Sequence, residues 1–171
     1  MKEELRNNLR KRISLIDLES KKSFDQEIFN KVDTLIPHHF KNKLGLYIPL
    51  VDEPDWKELN VKWGDVCFPV ITKLGLEFWT LKKKAKYKSW ILSKDELQEK
   101  KEVEVLVIPG LGFTKDGYRL GRGGGHYDRF LKSFQGTKIG VCYEECFVDF
   151  KHEEHDERVD FIVSEAKIIK V

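Results

Sequence analysis

The sequence predicts an α/β fold. Three observations lead to it: helical spacing of apolar residues up to Pro37, short apolar runs of strand length from Leu44 onward, and a strand–glycine–helix order between Val103 and Phe134. Strands alternating with helices are the pattern of a sheet with helices laid on its faces. At 171 residues, 40% hydrophobic and 35% charged, the chain suits one domain, 1–171, with a core of its own.

In the opening segment Leu5, Leu9, Ile13 and Ile16 form an apolar ridge on a helix. Lys2, Arg6 and Arg10 recur every four residues beside it. Like charges at that spacing repel, so the ridge is either a solvated flank or a grip on an anion held between helix and body. Ser23 and Gln26 read as a capping box, after which Phe24, Ile28, Val32 and Leu35 continue a second helix until Pro37. The runs Leu44 to Ile48, Val66 to Ile71, Leu76 to Leu81, Val103 to Ile108, Lys138 to Tyr143 and Phe161 to Val163 read as strands, with a helix at Tyr127 to Phe134. Val103 to Ile108 is interrupted only by Glu104, as in a parallel strand covered on both faces. Lys82, Lys83, Lys84, Lys86 and Lys88 read as a solvated loop.

Composition excludes several classes. Lys+Arg 31 against Asp+Glu 29 leaves a formal charge of +2, too weak a field for a polybasic nucleic-acid binder. Aromatics at 12%, with 12 Gly and 5 Pro, exclude a disordered or collagen-like chain. No apolar run approaches the roughly 20 residues that span a bilayer. The charged opening from Met1 to Arg12 lacks the pattern of a secretory leader, so a soluble cytoplasmic protein with no nucleic-acid or membrane partner is expected. Cys67, Cys142 and Cys146 are odd in number and form no Cys-x-x-Cys pair, and are expected to be reduced and mostly buried.

The stretch from Pro109-Gly110-Leu111-Gly112-Phe113 to Arg119-Leu120-Gly121-Arg122-Gly123-Gly124-Gly125-His126-Tyr127-Asp128 carries the chemistry. Four glycines within Gly121 to Gly125 allow positive φ and bring backbone N–H groups inward, and the helix that follows adds its own free N–H groups. Arg119 and Arg122 add planar donor forks that match phosphate oxygens. The loop is not a Walker loop, since no Lys-Ser or Lys-Thr follows, and His126 breaks the dinucleotide fingerprint. A structural tight turn is the alternative. Asp128 falls in the first helical turn, where the dipole alone would explain it or where it could meet a metal carried by phosphates. His155-Asp156-Glu157-Arg158-Val159-Asp160 offers a second carboxylate; His152 and His155 are three apart in a solvated acidic segment, which argues against zinc.

RLGRGGGHYDRFL, preceded by PGLGF, resembles the signature of the 5-formyltetrahydrofolate cyclo-ligases, also called 5,10-methenyltetrahydrofolate synthetases. The similarity is colinear and spans nearly the whole chain: Lys2, Leu5 and Arg6 resemble that family's basic opening helix, Tyr47 to Glu53 its first strand and acidic turn, Val66 to Val70 its second strand, and His155-Asp156, Asp160 and Glu165 its closing segment. The resemblance implies a Rossmann-like, mostly parallel sheet flanked by helices in three layers. It also implies conversion of 5-formyltetrahydrofolate to 5,10-methenyltetrahydrofolate with ATP as co-substrate and Mg²⁺ as cofactor. A monomer acting on small molecules is expected.

The resemblance also implies site residues. Arg119, Tyr127 and Asp128 would be catalytic. ATP would be held by Lys2, Arg6, Arg119, Leu120, Gly121, Arg122, Gly123, Gly124, Gly125, His126 and Tyr127. Folate would meet Glu53, Trp90, Tyr127, Ile71 and Phe78, and Mg²⁺ would meet Asp128 and Asp156; taken singly, residues like Ile71 and Phe78 are more often core, and Glu53 beside Asp52 and Asp55 could equally be a solvated acidic turn. His126 stands where many relatives have Tyr, so an ATP affinity somewhat sensitive to pH is expected. The alternatives are a non-catalytic folate- or nucleotide-binding protein on the same fold, a sugar-phosphate isomerase or acyl-CoA transferase of similar layers, and a nucleic-acid module that conflicts with the near-neutral charge.

Overall fold

The structure is a computed structural model that describes residues 2–37, 43–56, 63–64, 66–82 and 92–171. Trp90 and the lysines Lys83, Lys84, Lys86 and Lys88 lie outside the described residues. Two helices open the chain, α1 (Lys2–Ser14) and α2 (Leu18–Leu35). In α1 the ridge buries Leu9 and Ile13, with Leu5 and Ile16 packed at its margin. The helix ends at Ser14 because Leu15 and Ile16 donate to the carbonyls of Arg12 and Ile13, three residues back, which tightens the chain into a turn.

α2 begins earlier than the capping box at Ser23 predicts. Asp17 is the N-cap, its carboxylate accepting from the Glu19 and Ser20 N–H groups at 3.0 and 2.9 Å. Ser23 is therefore helix interior, and the Gln26 amide donates to Asn30 Oδ1 instead of reaching back to a cap. The buried face of α2 is Asp25, Ile28, Phe29 and Val32. Asp25 on that face is a carboxylate among apolar side chains.

The central sheet holds β1 (Leu44–Gly45), β5 (Val105–Pro109), β8 (Thr137–Val141), β9 (Phe161–Val163) and β10 (Ile168–Lys170), in that spatial order. Its first three pairings are parallel, with Leu44 opposite Val105, Val107 opposite Ile139 and Gly140 opposite Ile162, and β10 closes the edge antiparallel. The fold is thus mixed α/β with a mostly parallel central sheet and helices against it. Every residue of β5 is buried, as its nearly uninterrupted apolar run requires of a strand covered on both faces.

The strands predicted over 66–71 and 76–81 form a separate sheet. β2 (Phe68–Thr72), β3 (Gly75–Leu81) and β4 (Leu97–Lys101) pair antiparallel, Pro69 facing Phe78 and Phe78 facing Lys101. Cys67, just before β2, ties this sheet to the first through hydrogen bonds with Leu44 and Leu46. The run Leu44 to Ile48 is ladder only at its first two residues and continues as buried extended chain. β4 reads Leu-Gln-Glu-Lys-Lys and has no apolar signal; pairing with β3 makes it a strand. A short hairpin, β6 (Gly112–Phe113) with β7 (Arg119–Leu120), carries the chain from β5 into the glycine run. α3 (His126–Leu131) is shorter than predicted, because Ser133 and Phe134 donate to Phe130 and Leu131 and turn the chain toward β8.

Candidate active site

A cavity of about 370 Å³ lies outside the carboxyl ends of the parallel strands, the usual ligand position in an open α/β sheet. The end of β5 enters its wall as Pro109, Gly110 and Leu111, the continuation of β1 as Tyr47, Ile48 and Leu50, and the glycine loop as Gly121 to Tyr127. The antiparallel sheet adds Pro69, Val70, Ile71 and Leu76. One wall is therefore apolar and the other is backbone and arginine.

Two glycines of the loop have left-handed backbone, Gly123 at φ 99° and Gly125 at φ 63°, a conformation that disfavours side chains. Gly125 turns the chain into α3, which has six residues, so the helix end adds less field than a long helix would. Charge at the loop comes instead from side chains. Arg6 Nε donates to Gly121 O at 2.9 Å, Lys2 Nζ lies 2.6 Å from Glu153 and 3.5 Å from Asp156, and Arg10 Nε lies 3.9 Å from Asp52. The basic ridge of α1 is no solvated flank: its three members reach the glycine loop, the closing segment and the acidic turn.

Arg119 projects from β7 and is largely buried. Its Nη2 donates to Asp128 Oδ1 at 2.9 Å and its guanidinium carbon stands 5.2 Å from the Tyr127 ring centre. Among the described residues Arg119 Nε and the Tyr127 hydroxyl are both buried without a hydrogen-bond partner, and both residues line the cavity. Buried donors are normally satisfied, so two orphans at one cavity wall point to an acceptor supplied by a ligand. Burial raises the Tyr127 pKa, partly opposed by Arg119, which keeps the phenol protonated and able to donate.

Across the cavity, the turn at Asp52-Glu53 is tied to the loop. Glu53 is buried, its Oε2 accepting from Leu50 N–H at 2.9 Å and its Oε1 from Arg122 Nε at 3.2 Å, while Arg122 Nη2 pairs with Asp52. Burial raises the Glu53 pKa, against the lowering effect of the Leu50 N–H and Arg122.

The sequence model of the 5-formyltetrahydrofolate cyclo-ligase family matches residues 1–165. The chain belongs to this family. It is 30% identical over 166 residues to the 5-formyltetrahydrofolate cyclo-ligase of Mycoplasma genitalium, covering 91% of this chain and 92% of that one. The Mycoplasma pneumoniae 5-formyltetrahydrofolate cyclo-ligase is also 30% identical, with 92% and 93% covered. Among solved structures, the 5,10-methenyltetrahydrofolate synthetase of Aquifex aeolicus superposes with a TM-score of 0.82 at 26% identity, over 99% of this chain and 92% of that chain.

Of the residues that the cyclo-ligase resemblance singles out, Glu53, Ile71, Arg119, Gly121, Arg122, Gly123, Gly124, Gly125, His126 and Tyr127 come together on the cavity wall. Leu120 lies behind it as buried core, Trp90 is outside the described residues, and Lys2 and Arg6 approach the loop from α1. Phe78, expected as a folate contact, is not on the cavity wall. It is 2% exposed, faces Phe130 at 5.2 Å between ring centres and packs over Gly45, because α3 covers that face of β3. Arg122 meets Asp52 and Glu53 in this state, and His126 Nδ1 lies 3.1 Å from Arg129 Nη2. His152 stacks on Tyr118 at 3.7 Å, and all three cysteines are buried and free.

Asp128 and Asp156 each face a cation, Arg119 and Lys2 respectively. Among the described residues no cluster of three or more ligating side chains could hold a metal alone. The carboxylate oxygens of Asp128 and Asp156 are the donor type that Mg²⁺ takes, one or two carboxylates being completed by phosphate oxygens and water. The residues missed by sequence reasoning are Asp25 and Tyr143, beneath the Glu53 turn. The carboxylate on the apolar stripe of α2 was the available signal. Among the described residues no helix is long and apolar enough to cross a membrane.

Proposed function

We propose that this chain converts 5-formyltetrahydrofolate into 5,10-methenyltetrahydrofolate with consumption of ATP. The observation that carries the reading is the pair of buried donors without a partner among the described residues, Arg119 Nε and Tyr127 OH, on a cavity with an apolar wall on one side and a glycine loop on the other. Family membership narrows the reaction to the cyclo-ligase one.

The chemical difficulty is that a formamide oxygen is a poor leaving group. In the proposed reaction the formyl oxygen attacks the γ-phosphorus, the bond to the bridging oxygen breaks and ADP leaves. N10 then attacks the activated formyl carbon, its proton is lost, and inorganic phosphate departs with the former formyl oxygen to leave the N5–C–N10 amidinium. Little covalent work falls to the protein, so alignment and charge neutralisation dominate.

The glycine loop and Arg119 would hold the phosphates, with Lys2 and Arg6 closing from α1. Glu53 would accept from the donor edge of the pterin, and Ile71 would cover the ring. The Tyr127 hydroxyl would donate to an oxygen of the reacting groups. Asp128 and Asp156 would hold Mg²⁺, which supplies neutralisation of phosphate charge when bound.

The direct test is ultraviolet absorbance of the methenyl product, with and without ATP and Mg²⁺. ATP-dependent product is expected. Binding of 5-formyltetrahydrofolate without product under any condition would reduce the chain to a folate-binding protein.

A further inference from the structure

We propose that Lys21, Asp25 and Tyr143 are positioning residues for folate, acting through the turn that carries Glu53; the proposal rests on Glu53 as the pterin acceptor.

Three consecutive residues of that turn have a main-chain polar group held from below by a side chain. Lys21 Nζ donates to Glu53 O at 3.1 Å, and the Tyr143 hydroxyl lies 3.2 Å from the same carbonyl. Tyr47 OH donates to Pro54 O at 2.8 Å. The Asp55 main-chain N–H donates to the Asp25 carboxylate. Tyr143 OH also reaches Asp25 Oδ1 at 2.7 Å, and Lys21 Nζ reaches Asp25 Oδ2 at 3.4 Å while standing 5.4 Å over the Tyr143 ring.

The wiring has a direction. A phenol has one proton, and the shorter distance sends it to Asp25, so Lys21 is the firmer donor to Glu53 O. Asp25 thus gathers Tyr143, Lys21 and the Asp55 N–H about one carboxylate. Asp25 is 7% exposed on the apolar face of α2, where an unpaired carboxylate would be strongly unfavourable. Burial raises its pKa, opposed by Tyr143 and Lys21. Helix α2 needs no carboxylate at that position for packing, whereas every polar partner of Asp25 named above belongs to the turn or to another side chain that holds it.

The consequence falls on Glu53. Its carboxylate is aimed from one side by the Leu50 N–H, and its main chain is fixed from the other by α2 and by Tyr143, which follows β8. A planar donor edge needs its acceptor in register to a fraction of an ångström, so loosening the turn should be read in folate binding before it is read in chemistry.

The test compares Tyr143→Phe, Asp25→Asn and Asp25→Ala by KM for each substrate, kcat, and equilibrium binding of 5-formyltetrahydrofolate without ATP. For Tyr143→Phe the folate KM and Kd are expected to rise about tenfold, with kcat and the ATP KM within about twofold. Asp25→Asn keeps one acceptor oxygen, enough for Tyr143 at the Oδ1 position but not for Lys21 at the other as well, and should be milder than Asp25→Ala. If Asp25→Ala does not fold, Tyr143→Phe decides. An unchanged folate KM in Tyr143→Phe, or an equal rise for both substrates, overturns the proposal. Glu53→Gln separates the two readings: if it leaves folate affinity unchanged, the acceptor assignment fails, and if it weakens folate while Tyr143→Phe does not, only the positioning role fails.

Discussion

Arg122 Nε lies 3.2 Å from Glu53 Oε1, so an arginine of the glycine loop grips the carboxylate across the cavity from it. A guanidinium presents the same planar fork of N–H donors as the amino-pyrimidine edge of a pterin, so the two compete for the Oε1 side of Glu53. Arg122→Ala is therefore expected to bind 5-formyltetrahydrofolate without nucleotide at least as tightly as the parent chain. Its ATP KM should rise about threefold to tenfold for one lost phosphate contact. Titration without nucleotide and initial rates against ATP measure the two effects; weaker folate binding would show that Arg122 supports the folate rather than competing with it.

Tyr127→Phe should separate stability from catalysis. The hydroxyl is buried without a partner among the described residues, so its removal relieves an unsatisfied group, and Tm should hold or rise. The kcat should fall about tenfold to a hundredfold if the donor serves the reacting oxygens. Thermal unfolding beside steady-state rates makes the check, and an unchanged kcat would remove Tyr127 from the chemistry.

Arg119 and Asp128 form a largely buried pair at 2.9 Å, and each variant leaves the other group uncompensated. Arg119→Ala and Asp128→Asn are both expected to lower kcat by about a hundredfold or more while circular dichroism stays native. The decisive comparison is Mg²⁺ dependence: Asp128→Asn should require more Mg²⁺ for half-maximal rate, and Arg119→Ala should not.

Glu53 sets an acid limb for folate binding. Burial holds its pKa above the ordinary glutamate value, so as pH falls through that raised value the carboxylate gains a proton and loses acceptor strength. Affinity for 5-formyltetrahydrofolate should fall on that limb, and Glu53→Gln should flatten it. The linked effect on stability has the opposite sense. The folded chain holds the Glu53 proton more tightly than the unfolded chain, so its contribution is greatest below the ordinary value and is lost as pH rises through the raised one. Denaturant midpoints of Glu53→Gln and the parent chain across that window measure it.

Features that depend on near neighbours along the chain are legible in the residue order. The apolar run ending at Pro109 specifies a strand buried on both faces, the spacing of Leu5, Leu9 and Ile13 specifies the face of α1, and the glycines at 123 and 125 permit a backbone that other residues resist. Features that depend on distant partners are fixed when the elements pack. Asp25 and Tyr143 are 118 residues apart, Arg122 and Glu53 69, and no local period encodes either pairing. The alternation in β3 marks Phe78 as buried on one face, but whether that face meets substrate or core was settled by α3 covering it. Likewise β4 is polar throughout its middle and becomes a strand by hydrogen bonding to β3. Side-chain periodicity reports which residues avoid water; which groups they meet there is fixed when separate elements pack.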